Sequence, residues 1–166
     1  MKKLALALLL VSLTLPVAAG QTPDLAELMA DYARRYEDDD RSMLVVHLND
    51  LTTEALFGPP MLYTLRAQAR MNVIVYVQGE AKSDIELDTD FRVRQGGAEY
   101  RTTPVSIENF EQGNQISSGD QFEGILQVNG PLNLRIPFTV WNIAFERSGQ
   151  LMEFQLSSNA YNRIQQ

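Results

Sequence analysis

From Met61 to Val77 every odd-numbered position carries an apolar side chain: Met61, Tyr63, Leu65, Ala67, Ala69, Met71, Val73, Val75 and Val77. Thr64, Arg66, Gln68, Arg70 and Asn72 stand between them. Side chains alternate faces along a strand, so this spacing predicts a half-buried β-ribbon over residues 61–78. At about 3.3 Å per residue such a ribbon would span roughly 56 Å, too long for one straight strand in a small β domain. A bend near Ala69–Asn72 is therefore expected. Ile74 and Tyr76 make the second half apolar on both faces, the pattern of a central strand.

The rest of the chain is punctuated in the same style. Gly58-Pro59-Pro60 is a firm break. Residues 43–48 read either as a buried strand or as the start of a helix, because a short apolar run has no diagnostic period. Ile85–Leu87, Phe91–Val93, Tyr100–Ile107 and Phe122–Val128 read as strands, and Gln95-Gly96-Gly97-Ala98 as a hairpin turn, since glycine accepts positive φ. Pro104 marks an edge or an irregularity. Leu132, Leu134, Ile136, Phe138 and Val140 alternate, with a phase change at Trp141 that predicts a bulge. Ser148-Gly149 predicts a last hairpin into Met152, Phe154 and Leu156. Ahead of all this, Leu25, Leu28, Met29, Tyr32 and Tyr36 recur at helical steps after Thr22 and Pro23, predicting an amphipathic helix over 23–36 that packs on the chain's own core. The expected fold is all-β: an immunoglobulin-like antiparallel sandwich of seven or eight strands with a short N-terminal helix.

Residues 1–20, MKKLALALLLVSLTLPVAAG, have a basic start, an apolar run too short for a bilayer-spanning helix, and small residues at a peptidase-like spacing. They predict export to a bacterial periplasm or beyond, with no membrane insertion after cleavage. Residues 21–42 are then the helix and an acidic linker (Glu37-Asp38-Asp39-Asp40), 43–158 the sandwich, and 159–166 a polar tail or frayed helix. The chain has no cysteine and one histidine, which excludes disulfide scaffolds, thiol nucleophiles and two-imidazole metal sites. Its formal charge is −7, and two of its three lysines lie in the leader. Such a surface is repelled by phosphate backbones and anionic lipid, so nucleic acid is not an expected partner.

Val73–Gly79, Asp90–Tyr100 and Ser118–Gly124 together resemble bacterial secreted immunoglobulin-like domains, closest to small exported antigens and lipoprotein-attached sandwiches of unknown function. The resemblance covers residues 70–130. It implies a sandwich and carries no catalytic residues with it. The lipobox cysteine found on many members is absent here.

The chemistry within reach is narrow. His47 is the one imidazole base, but Val45, Val46 and Leu48 around it read as packing, and no Gly-x-Ser-x-Gly elbow occurs. The acidic groups Glu37–Asp40 and Asp84, Glu86, Asp88 and Asp90 are candidate calcium ligands, yet one is a consecutive run and the other a polar strand face. No cofactor is expected. Trp141, Pro104 and Pro137 are the candidate partner-contact residues, the prolines because they would mark an edge open to strand addition. The reading that follows is a non-enzymatic interaction or structural module of the bacterial envelope, its partner another envelope or extracellular protein. Two alternatives are a carbohydrate-binding or hydrolytic domain using exposed aromatics such as Trp141, and a protease inhibitor presenting the loop 108–120.

Overall fold

The computed structural model describes residues 24–108, 115–142 and 151–165. The leader, residues 109–114 of the candidate inhibitor loop and the Ser148-Gly149 turn lie outside these residues. Among the described residues four helices and ten strands follow in the order α1 (Leu25–Tyr32), β1 (Ala33–Glu37), β2 (Arg41–Leu48), α2 (Asp50–Leu56), α3 (Met61–Ala69), β3 (Ile74–Ala81), β4 (Ile85–Glu86), β5 (Arg92–Gln95), β6 (Ala98–Glu108), β7 (Gln115–Ile116), β8 (Gln121–Val128), β9 (Phe138–Trp141), β10 (Met152–Phe154) and α4 (Ser158–Ile164).

The β-rich expectation holds, but the layers differ from a two-sheet sandwich. Eight strands form one antiparallel sheet in the order β1-β2-β3-β8-β6-β5-β9-β10, and β4 pairs with β7 as a separate two-stranded sheet. The large sheet curls until its first and last strands lie side by side, giving a nearly closed barrel. Arg34 of β1 bridges that seam, its Nε donating to the Glu153 carbonyl of β10 at 3.0 Å, with its guanidinium over the Phe154 ring. The sheet bends within β6, whose register against β8 slips between Pro104 and Ser106. That slip is the irregularity expected at Pro104, and a bulge of this kind tightens local twist.

Two faces of the sheet bury two different sets of side chains. Inside, Met43, Val45, Val75, Val77, Val93, Leu126, Val128, Phe138, Val140 and Phe154 form one cluster, with Ile85, Leu87 and Ile116 of the small sheet region joining it. Outside, Val46, Leu48, Ile74, Tyr76 and Ile125 are covered by Leu56, Phe57, Leu65 and Ala69 from α2 and α3. β3 is therefore buried on both faces and hydrogen-bonded on both sides, as its sequence predicts. Residues 43–48 resolve as strand.

The first half of the 61–78 ribbon is not a strand. Met61–Ala69 is a helix, and the reason lies in a second pattern within the same residues. Leu65 and Ala69 share a helical face that packs on the sheet, while Met61, Tyr63, Ala67 and Met71 are left exposed. Met, Leu, Arg, Ala and Gln are good helix formers. One helical turn apart, Arg66 and Arg70 both reach Asp50 at the start of α2.

The N-terminal helix is also shorter than 23–36. Asp24, not Thr22, caps it by accepting from Ala26 N, and after Tyr32 the chain extends as β1 to pair with β2. Tyr36 reaches the core from a strand rather than from a helical stripe. The predicted strand over 132–140 shrinks to β9. Pro131 and Pro137 flank a turn instead, and the buried Gln95 side chain supplies its pairing: Nε2 donates to Asn133 O and Ile136 O, and Oε1 accepts from Asn133 N. The terminal residues form α4, which packs against α1 through Leu28, Tyr32, Leu156 and Ala160. Tyr32 donates its hydroxyl to Ala160 O at 2.6 Å. Arg163 holds Glu27 at 2.9 Å and also pairs with Asp31.

Gly79 illustrates how tightly the interior is filled. A β-carbon there would overlap the Phe122 ring and lie 2.6 Å from Ser42 O. Gly79→Ala is expected to destabilise the chain by about 3 kcal/mol, since backbone and ring must both shift. Tyr32→Phe, which removes only the hydroxyl joining α1 to α4, should cost about 1 kcal/mol. Urea unfolding midpoints of the two variants test this order.

Candidate functional site

His47 sits on the inward face of β2, completely buried, with its ring edge-on to Tyr32 and Phe138 at centroid separations of 6.4 and 6.2 Å. Its Nδ1 has no hydrogen-bond partner among the described residues. A catalytic base needs an orienting acceptor and a path to substrate; this imidazole has packing on its faces instead. Burial depresses its pKa from 6.5 to about 4.

The other sequence candidates are dispersed. Trp141 ends β9, half-buried, with the Arg94 and Arg92 guanidiniums 4.4 and 5.9 Å from its ring. Those arginines are in turn tied to Glu99, and Arg92 also to Asp90. Hydrogen bonds from Arg94 and Arg92 hold the Glu99 carboxyl below its ordinary range. The result is a charged ladder laid over the indole, not an open stacking platform. Pro104 is exposed at the bulge of β6, where the strand has left β5 and pairs with β8 alone among the described residues. Pro137 is exposed too, but it precedes β9, which is bonded on both sides by β5 and β10. Pro137 thus marks no edge; it stands just outside a ladder whose N–H groups come from the residues after it.

Neither acidic group is gathered around a cation site. Among the described residues no cluster of three metal-ligating side chains occurs. Asp38 instead organises a turn, accepting from Asp40 N, Arg41 N and the Tyr36 hydroxyl. Lys82 crosses to Glu37 and Asp38 O, and its hydrogen bond lowers the Glu37 pKa. Residues 117–120 of the candidate inhibitor loop are pinned: Ser118 N donates to Asp84, Ser118 Oγ to Lys82 O, and Gly119 N to Ala81 O.

The feature that sequence reading missed is a cleft of about 890 Å³ over one rim of the barrel. Its walls come from the start of α2 (Asn49, Asp50), the end of α3 and the turn after it (Arg70, Met71, Asn72), the end of β8 and its loop (Gln127, Asn129, Leu132, Leu134) and the end of α4 (Ile164). That volume falls within the range of small-ligand sites, about 300–1,000 Å³. Asp50 and Arg70 pair across the wall at 2.7 Å, and the hydrogen bond from Arg70 raises the guanidinium pKa further. Met71 is 83% exposed at the rim.

Asn49 is the buried polar residue of this wall among the described residues, only 3% exposed. Its Oδ1 accepts from Leu51 N and Thr52 N, while Thr52 Oγ1 accepts in return from Asn49 N. This reciprocal cap fixes which end of the carboxamide is oxygen. The nitrogen, Nδ2, is left buried without a partner among the described residues. An unsatisfied buried donor costs about 1–3 kcal/mol. The Asn-Asp-Leu-Thr spacing is a helix-start signal, and it could have marked this wall in the sequence.

No family model, curated protein or solved structure matches this chain.

His47 gives the fold a pH signature. The folded value lies below the unfolded one, so the unfolded chain takes up the proton first. Stability therefore falls as pH drops through 6.5 and has lost about 3 kcal/mol once pH is below 4. In the His47→Leu variant that loss should vanish from the difference between urea titrations at pH 7 and pH 4.

Proposed function

We propose that this chain is an exported, non-enzymatic interaction module of the bacterial envelope that engages its partner at the cleft over the barrel rim. The observation that carries the reading is the division of the molecule into a filled interior and an open polar rim. Bulky side chains such as Met43, Phe122, Phe138 and Phe154 occupy the inside, so recognition falls to the surface. The buried imidazole of His47, whose Nδ1 has no hydrogen-bond partner among the described residues, supports a role without a nucleophile–base pair. The leader supports export. No helix among the described residues is long and apolar enough to cross a membrane.

A partner-binding reading also favours the rim over Pro104. Proline and a bulge at an exposed strand are devices that discourage strand addition, and both occur there. The rim has the opposite character: exposed Met71 beside polar side chains, an arrangement in which a flexible thioether can adapt to a partner surface. The carbohydrate alternative loses its main motive, because Trp141 lies under two arginines.

The test is site-directed photocrosslinking in cells. A benzophenone side chain at Met71 should give a light-dependent adduct of discrete mass, and one at the exposed Tyr63 of α3 should give none. Equal adducts from both positions, or none from Met71, would remove the reading. So would substrate turnover that disappears in His47→Gln. Recovery of the chain from the periplasm of a Gram-negative host at the mass of the leaderless protein tests the export half.

A further inference from the structure

We infer that the rim cleft holds an extended polypeptide segment and reads its backbone through side-chain amides. The inference rests on the interaction-module reading and names the class of ligand that module takes. Three features of the wall point the same way.

The first is hydrogen-bonding character. Gln127 offers a whole carboxamide, the same donor-plus-acceptor group as the peptide bond, while Asn49 contributes Nδ2 alone because its Oδ1 caps α2, and Asn129 contributes its oxygen because its Nδ2 donates to Thr103 Oγ1 at 2.6 Å. Asn49 Nδ2 is a buried donor lacking an acceptor among the described residues, and a peptide carbonyl supplies one. The Gln127 side chain, half-buried at the end of β8, is likewise unengaged by hydrogen bonds among the described residues.

The second feature is charge. Asp50 and Arg70 are the charged side chains of the wall, and they neutralise each other. A neutral ligand rich in amides fits such a wall; a phosphate or a polyanion does not. The third is the apolar strip. Leu132, Leu134 and Ile164 border the amides with aliphatic surface, and among the described residues the wall holds no aromatic ring. Sugar rings favour aromatic platforms, whereas alternate side chains of an extended peptide lie well on aliphatic ones.

The experiment uses the full chain and a random heptapeptide library displayed on phage, with an oligosaccharide array in parallel. Two variants separate recognition from folding. Asn49→Asp keeps a helix-capping oxygen but removes the Nδ2 donor; Gln127→Ala touches no cap. Circular dichroism confirms that both fold. Enriched peptides should bind the wild-type chain, about tenfold more weakly to Asn49→Asp and several-fold more weakly to Gln127→Ala. Absence of enrichment, enriched peptides indifferent to both substitutions, or binding to sugars alone would overturn the inference. A discrete Met71 crosslink alongside any of those results would leave the interaction-module reading standing while the peptide assignment falls. Loss of the crosslink as well would remove both.

Discussion

The barrel depends on its seam. A curled sheet that stops short of closing has two edges, and each would present unpaired backbone groups to water or to another chain. Here β1 and β10 meet, but Arg34 rather than a continuous ladder carries the contact, with Nε on Glu153 O and the guanidinium over Phe154. Behind it α1 and α4 are joined by the Tyr32 hydroxyl and by Arg163 between Glu27 and Asp31. Sequence-distant ends thus close a structure that local hydrogen bonding leaves open. His47 lies directly beneath this junction, against Tyr32 and Phe138, so the buried imidazole sits where the molecule is closed by side chains.

Closure also decides where polar groups collect. Because the interior is filled, the rim is where strand ends, helix ends and loops leave polar groups without regular partners. Asn49 shows the physics: its oxygen is committed to capping α2, and that commitment strands its nitrogen. A group of this kind raises the energy of the empty wall and is relieved by an acceptor. The Asp50–Arg70 pair adds rigidity between α2 and α3 without adding net charge.

The sequence spoke clearly where geometry is local. The Gly96-Gly97 hairpin turn has both glycines at positive φ. β3 was readable because Val75 and Val77 serve the interior while Ile74 and Tyr76 serve the helices outside. The break at Gly58-Pro59-Pro60 separates α2 from α3. In contrast, residues 61–69 satisfy both a two-residue and a helical period, and only contact with Val46, Ile74 and Tyr76 selects the helix. Leu132–Ile136 alternate like a strand, yet among the described residues no neighbouring strand reaches them and Gln95 takes the place of one. The cleft itself could not be read from sequence, since its wall draws on segments from Asn49 to Ile164. Apart from the Asn49–Thr52 cap, those residues form no motif.

What the amino-acid order determined by itself is a β-rich, cysteine-free acidic chain with its turns and its doubly buried central strand in place. These follow from backbone sterics at glycine and proline and from which side chains shun water, properties each residue carries wherever it sits. The tertiary structure decided that the strands curl into one sheet, that Met61–Ala69 coils, and that Trp141 is roofed by arginines. Those outcomes depend on which distant surface arrives to bury a given face, and no short stretch of sequence contains its own partner.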